Sequence, residues 1–217
     1  MMEGMASRPT GRSVKISEDE RTGWSSDRPR REGAPPRPVD LTVHCSVLSP
    51  ADRLRYSPGS LLIVACACAQ ELDGFIGRLI EDRSSVLGMR KVEALLAGRV
   101  SEEQLQERAA ELLAAAVAKR LDSRQTVVLG MESFDPAARE PFLRMAAAQR
   151  RPRHLILLET ARENVAEEDL PALNQLRRSL DAGELGAEGI QTALRLGGGT
   201  ASEVKRILFR PPPREDD

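Results

Sequence analysis

Aromatic side chains are scarce in this sequence: one Trp, one Tyr and four Phe among 217 residues. Any core of ordinary size therefore has to be assembled from Leu, Ala, Val and Ile. Cysteine is scarce too. The odd set Cys45, Cys66 and Cys68, with two members one residue apart and so on opposite faces of any strand, excludes a disulfide framework. An excess of either charge is missing, since 32 Lys and Arg face 33 Asp and Glu. There is no polycation to steer the chain onto nucleic acid or an anionic membrane, and any such contact has to be a local patch. Long hydrophobic runs are absent as well. The longest, residues 61–69, is about half the ~20 residues needed to span a bilayer, and the first residues carry no apolar signal-peptide region. These absences predict a soluble, cytoplasmic protein with reduced thiols, and the length predicts one domain plus a tail.

Residues 1–40 hold five prolines, eight basic and seven acidic side chains and almost no periodic apolar position. Such a composition cannot offset the entropy of ordering, on the order of 1–2 kcal/mol per residue, and predicts a disordered tail in which Trp24 is the one large apolar group. Residues 41–59 form a lead-in segment. Within it Leu41-Thr42-Val43 and Val47-Leu48 predict a short edge strand, and Ser49-Pro50-Ala51-Asp52 a helix start that stops before Ser57-Pro58-Gly59. The run Leu61-Leu62-Ile63-Val64-Ala65-Cys66 is a strand buried on both faces. A helix over 71–81 follows, with Leu72, Phe75, Ile76, Leu79 and Ile80 on one side.

The same unit recurs. Ser101 and Gln104 have the spacing of a capping box at the head of a helix whose stripe runs Leu105, Ala109, Leu112, Leu113, Ala116, Val117, Leu121. A strand over 126–129 comes next, then Asp135 as N-cap and Pro136 as first residue of a helix, then a strand over 154–158. Residues 170–180 and 190–196 read as further helices and 204–209 as a final strand, before an acidic end at 211–217. Alternation of this kind predicts an α/β domain over residues 60–210, a three-layer parallel sheet flanked by helices.

In such a sheet ligands bind beyond the carboxyl ends of the strands. The first of these turns reads Ala65-Cys66-Ala67-Cys68-Ala69-Gln70-Glu71-Leu72-Asp73-Gly74-Phe75. From about residue 60 to 209, two-thirds of the chain, the sequence resembles the P-loop kinase family that includes bacterial polynucleotide kinases and related small predicted ATP-dependent kinases. That resemblance implies a P-loop-kinase-like sheet and a loop of the form G-x-x-G-x-G-K-S/T-x-F. With the Phe of that pattern on Phe75, its lysine falls on Leu72, its Ser/Thr pair on Asp73-Gly74 and its glycines on Cys66, Ala69 and Glu71. Each replacement acts against phosphate: side chains block close backbone approach, Leu72 removes the cation, and Glu71 and Asp73 add repulsion. The family's second strand usually ends in Ser-Asp, which activates the acceptor hydroxyl, whereas Val86-Leu87-Gly88-Met89-Arg90 stands here. Its third strand often continues as Asp-Ala-Thr-Asn, and Gly130-Met131-Glu132-Ser133 stands here. The stretches Asp135-Pro136-Ala137-Ala138-Arg139 and Phe142-Leu143-Arg144-Met145-Ala146 keep the family pattern, while the arginine-bearing lid is shortened between Glu159 and the helix of Arg177 and Arg178.

Other constellations are weaker. His44 and Cys45 with Cys66 and Cys68 are zinc-ligand types, but the two-residue spacer of paired cysteines is missing. Glu132 and Glu159 could form a carboxylate pair across neighbouring strand ends, with Ser133 in the same cleft. His154 opens a strand and reads as structural. Arg177 and Arg178 are candidates to face an anion, and with Arg150, Arg151, Arg153, Arg195 and Arg206 could line a phosphate surface, which the interleaved acids weaken. Gly197-Gly198-Gly199-Thr200 reads as a connection into the last strand. The alanine-rich helix over 109–118 offers either a partner groove or a close-packing face. The resemblance, with its lost loop, predicts a catalytically inactive kinase-like (pseudokinase) binding or scaffolding module with no catalytic residue, no cofactor and no metal. It would engage a macromolecular partner, in the first place a protein, with nucleic acid left open on weaker support, and no membrane. The open alternatives are a nucleotide-dependent kinase with a non-standard phosphate loop, acting on a nucleic-acid end or small hydroxylated substrate, and a structural oligomer subunit.

Overall fold

Strand β3, Leu61–Ala65, presents nothing to water: Leu61, Leu62, Ile63 and Val64 are fully buried and Ala65 nearly so. A strand apolar on both sides has to lie inside a sheet covered on both faces. The computed structural model describes residues 40–210 and places β3 there. Flanking it are β5 (Val127–Met131) and β6 (Arg153–Leu158), both parallel to it. Beyond β5 lies β4 (Val86–Gly88), and beyond β6 lie β7 (Thr192–Leu196) and the edge strand β1 (Ser46–Leu48). Among the described residues the sheet is thus six-stranded and parallel, in the order β1-β7-β6-β3-β5-β4. Residues 1–39 and 211–217, which include Trp24 and the tail readings, lie outside the described residues.

Alternate residues of β3 feed two separate cores, as the period of two in a strand requires. Leu61, Ile63 and Ala65 pack with Leu113 and Val117 of α3 (Glu102–Asp122), Leu143 of α4 (Pro136–Ala148) and Leu176 of α5 (Leu170–Asp181). Leu62 and Val64 pack with Leu72, Phe75, Ile76 and Leu79 of α1 (Ala69–Leu79). The short α2 (Met89–Leu96) lies against α3 on the first side. The result is a three-layer α/β fold. Asp135 caps α4 as its sequence predicts, its carboxylate accepting from Ala137 N at 2.9 Å ahead of Pro136. Ser101 stands at the N-cap of α3, but its side chain makes no capping bond, and only the backbone contact from Gln104 N to Ser101 O, 3.1 Å, closes that turn.

The structure corrects three sequence readings. Within 190–196, read as a helix, residues 192–196 form β7 instead: the seven residues between Gly189 and Gly197 are too few for a stable helix, and pairing with β6 and β1 satisfies the backbone. The helix start read at 49–52 is not helical, and residues 53–56 after it are a strand, β2 (Arg53–Tyr56), with Arg53 and Arg55 facing out and Leu54 and Tyr56 in. Its partner β8 (Arg206–Phe209), reached through the short α6 (Gly199–Glu203), does not join the main sheet. β2 and β8 form a parallel ribbon whose Leu54, Tyr56 and Ile207 cover the α1 side of the sheet. Residues 41–43 carry no strand, and Val43 N instead donates to Gly186 O at 3.0 Å.

Two buried polar anchors complete the packing. Arg139 of α4, 3% exposed, forks onto Glu188 through Nε and Nη2 at 2.6 and 2.8 Å and donates from Nη1 to Phe134 O at 2.7 Å. His154, at the start of β6, shares a 2.8 Å bond with Thr192 Oγ1 and lies 4.6 Å from the Tyr56 ring, centroid to centroid. Burial, assisted by the charge of Arg153, pushes the imidazole down to about 4.

Arg139→Ala leaves Glu188 and the Phe134 carbonyl without their cation and is expected to cost about 3 kcal/mol in urea unfolding; a loss below about 1 kcal/mol would show that the fork anchors nothing. The unfolded chain binds the His154 proton at 6.5 and the folded one only at about 4. The stability this neutral imidazole contributes is therefore complete above 6.5 and is lost as pH falls from there, with a slope of up to ~1.4 kcal/mol per pH unit. Unfolding curves of the wild type and His154→Gln across that window should differ in slope, the variant being flatter, and parallel curves would reject the assignment.

Candidate functional site

Three residues, Cys66, Ala67 and Cys68, connect β3 to α1. The turn is held to β5 and closed onto α1: Cys66 N donates to Met131 O of β5 at 3.0 Å, Leu72 N to Cys68 O at 2.9 Å, and Cys66 Sγ to Cys68 O at 3.4 Å. Of the positions that the resemblance assigns to a phosphate loop, only Cys66 lies in the turn; Ala69, Glu71, Leu72, Asp73 and Gly74 are already helical. Leu72, at the lysine position, is buried against the sheet, its Cγ and Cδ2 within 3.4 to 3.7 Å of where a β-carbon on Gly130 would stand. Glu71 Oε1 accepts from Thr160 Oγ1 at 2.7 Å and from Asn164 Nδ2 at 3.2 Å. A carboxylate of the chain itself therefore sits in the first turn of α1, where a helix dipole favours an anion. Burial above all, opposed by the bond to Cys68 O and reinforced by Glu71, Cys68 and Glu132, raises the Cys66 thiol to about 11, which keeps it protonated and unreactive.

Glu132 and Glu159 do not form the expected pair. They follow β5 and β6, which are not neighbours, because β3 runs between them. Glu159 is occupied: Arg177 grips it through Nε at 2.9 Å and Nη2, and Arg195 Nε reaches the same Oε1 at 2.7 Å. Burial alone would raise this carboxyl, but the Arg177 hydrogen bond and the charges of Arg177 and Arg195 outweigh it and hold it below its usual value. The approach depends on Gly197, since a β-carbon there would meet Glu159 Cβ at 2.8 Å. Arg195 also reaches Asp181 at 3.2 Å. Arg178 Nη2 is bound to Gln175 Oε1 at 2.8 Å, and the open depression of about 530 Å³ beside it mixes Arg177, Arg178 and Arg195 with Asp181. Other arginines are engaged as well: Arg153 Nε donates to Gly189 O at 2.6 Å and Arg206 pairs with Glu81. They do not form one phosphate-reading face.

The Gly197–Thr200 turn closes on itself, Thr200 Oγ1 accepting from Gly197 N at 2.9 Å and donating to Gly197 O at 2.8 Å. His44 and Cys45 precede the edge strand β1, while Cys66 and Cys68 sit at the central strand, and among the described residues no three His, Cys, Asp or Glu converge to hold a metal ion. No described helix is long and apolar enough to cross a membrane.

What the structure does assemble is a cleft of about 670 Å³ beyond the carboxyl end of β5. Its floor is Leu129, Gly130 and Met131; α3 contributes Ala110, Leu113 and Ala114, and α4 contributes Ala137, Ala138, Pro141 and Phe142. Met89, Arg90 and Glu93 of α2 close one end, and Glu132 and Ser133 stand at the mouth. Pro141 lacks an N–H, so the Ala137 carbonyl one turn earlier has no intrahelical partner. Arg90 stands 3.6 Å from Asp73 and 3.9 Å from Glu132, near enough for attraction and too far for hydrogen bonds. Ser133 Oγ accepts from Asp135 N at 3.2 Å. Volume and apolar lining match those of sites that capture an organic ligand or side chains. No activated nucleophile stands among the lining groups. Of the site residues read from the sequence, Glu132 and Ser133 are at this cleft, whereas Glu159, Arg177 and Arg178 are on the far side of β3. The signal for the cleft was the alanine-rich stretch, whose Ala109 packs into the core while Ala110 and Ala114 line the opening.

In comparisons with known proteins, no family model and no curated protein matches the chain.

Leu72→Lys restores the residue type that the resemblance places at this position and tests the geometry directly. With the side chain buried, the ammonium is expected to destabilise the fold by about 3 kcal/mol or more and to confer no ATP binding. A variant of wild-type stability that binds ATP would show that Leu72 occupies a working phosphate site.

Proposed function

We propose that this chain is a catalytically inactive, kinase-like binding module that acts by occupancy and engages a macromolecular partner, a protein, at the cleft beyond β5. The observation that carries the reading is the β3–α1 connection. It is three residues long, held by hydrogen bonds to β5 and to the start of α1, and followed by a helix whose Leu72 fills the sheet side where the resemblance puts a phosphate-binding lysine. Phosphoryl transfer depends on positioning and charge stabilisation by a loop, a cation and a metal. Here Glu71 stands in the first turn of α1 with Asp73 just beyond it, and Arg90 is shared between Asp73 and Glu132. The groups that remain at the carboxyl end of the sheet serve for binding: an apolar cleft on one side of β3 and a self-satisfied arginine–carboxylate lock on the other.

The deciding measurement is a thermal-shift titration of the full chain with ATP, ADP and GTP, each with and without Mg²⁺. Binding to the native state adds RT ln(1 + [L]/Kd), about 2.7 kcal/mol at a hundredfold excess over Kd. No shift at millimolar nucleotide is expected, and a clear Mg²⁺-dependent rise in Tm would overturn the proposal in favour of a working kinase.

A further inference from the structure

The cleft is apolar inside and acidic at its mouth, and that combination defines its occupant. At the opening stand two carboxylates, Glu93 and Glu132, against one cation, Arg90, which has a further carboxylate, Asp73, 3.6 Å away. Arg90 is drawn toward Asp73 and Glu132 and makes no hydrogen bond with either, at 3.6 and 3.9 Å. The surplus at the rim is negative. Ala110 and Ala114 on α3 and Ala137 and Ala138 on α4 line the cleft beside Leu113, Pro141 and Phe142, so both helix walls, which pack against each other, carry small side chains over the floor of β5. Small residues on both walls let a third helix approach closely, with its larger side chains filling the space between them. Ala110, Ala137 and Pro141 are exposed, as is Met89 at 37%, so the opening runs along the helices rather than ending in a narrow pore.

From this placement we infer that the cleft receives an amphipathic helix of a partner protein, with apolar anchors at i, i+3 or i+4 and i+7 and with Lys or Arg flanking those anchors. The inference rests on the binding-module reading and adds the chemistry of the partner. The apolar anchors enter between α3 and α4, and the basic groups meet Glu93 and Glu132 at the mouth. Charge complementarity of this kind decides which partners are admitted more than how tightly they bind.

The test uses two labelled amphipathic model peptides of about 14 residues, four helical turns, identical in their leucine pattern. One carries Lys at every polar position and the other Glu. Fluorescence anisotropy with the full-length protein should give binding of the Leu/Lys peptide at least about tenfold tighter than the Leu/Glu peptide. The double variant Glu93→Gln, Glu132→Gln should bring the ratio close to one. Ala110→Trp, at an exposed position that fills the opening, should weaken the Leu/Lys peptide by about tenfold or more, and Ala137→Trp provides the same block from the opposite wall. Equal or tighter binding of the Leu/Glu peptide that is still blocked by either Trp overturns the basic-partner inference and leaves the cleft as a binding site. Binding indifferent to both Trp variants, or no binding of either peptide, overturns the inference altogether. The nucleotide titration is independent of all three outcomes, so a failure here is distinguishable from a failure of the inactive-kinase reading.

Discussion

Burial of β3 on both faces is the constraint from which the rest of the molecule follows. Four large aliphatic side chains with no access to water, each worth roughly 1.5–3 kcal/mol in transfer free energy, cannot sit at an edge or under a single layer. They require paired strands on either side and a cover on each face. The first face is covered by helices. The second is covered by α1 and, where α1 ends, by the β2–β8 ribbon, with Arg78 of α1 donating to Val204 O and Ala201 O at 2.7 and 2.8 Å to hold α6 and the ribbon in place. The same constraint shapes the candidate site. Because α1 has to start soon after β3 to lay Leu72, Phe75, Ile76 and Leu79 on the sheet, only three residues remain for the turn.

The charges of this domain divide according to burial. Where a carboxylate is withdrawn from water it is fully met, as Glu159 is by Arg177 and Arg195 and as Glu188 is by Arg139. Removing one partner of such a set would strand the other. Around the cleft the groups are more than two-fifths exposed, Arg90 at 58% and Glu132 at 44%, and stand apart without hydrogen bonds. Their contribution to stability is small for that reason. They remain open to solvent, and this contrast separates the two sides of β3 in energy.

Much of the scaffold was legible from periodicity. The apolar run of β3, the stripe of α1, the Asp135-Pro136 start of α4 and the strand β6 all follow from local patterns that a single segment carries by itself. The failures are equally physical. In β7, Ala193, Leu194 and Leu196 are buried and Arg195 is exposed; over so few residues, spacing does not separate a strand from a helix turn, and the decision falls to pairing with β6 and β1. In β2 the alternation was present in Arg53, Leu54, Arg55 and Tyr56, but its partner β8 lies some 150 residues away in the sequence. Arg139 was visible only as part of a stretch that resembles a family pattern, and its work as a buried anchor to Glu188 depends on a residue 49 positions on.

By itself the sequence determined which segments are buried, where α4 begins, and that the turn after the central strand carries no lysine and no glycine cradle. These are properties of composition and of neighbours within a few residues, and local sterics and capping settle them. The tertiary structure alone decided the strand order, which puts β3 between the ends of β5 and β6 and so keeps Glu132 from Glu159. It also decided that Leu72 is spent on the core and that alanines of α3 and α4 come to line one cleft over β5. Each of those outcomes depends on side chains distant in the chain meeting in space, and only packing of the whole domain brings them together.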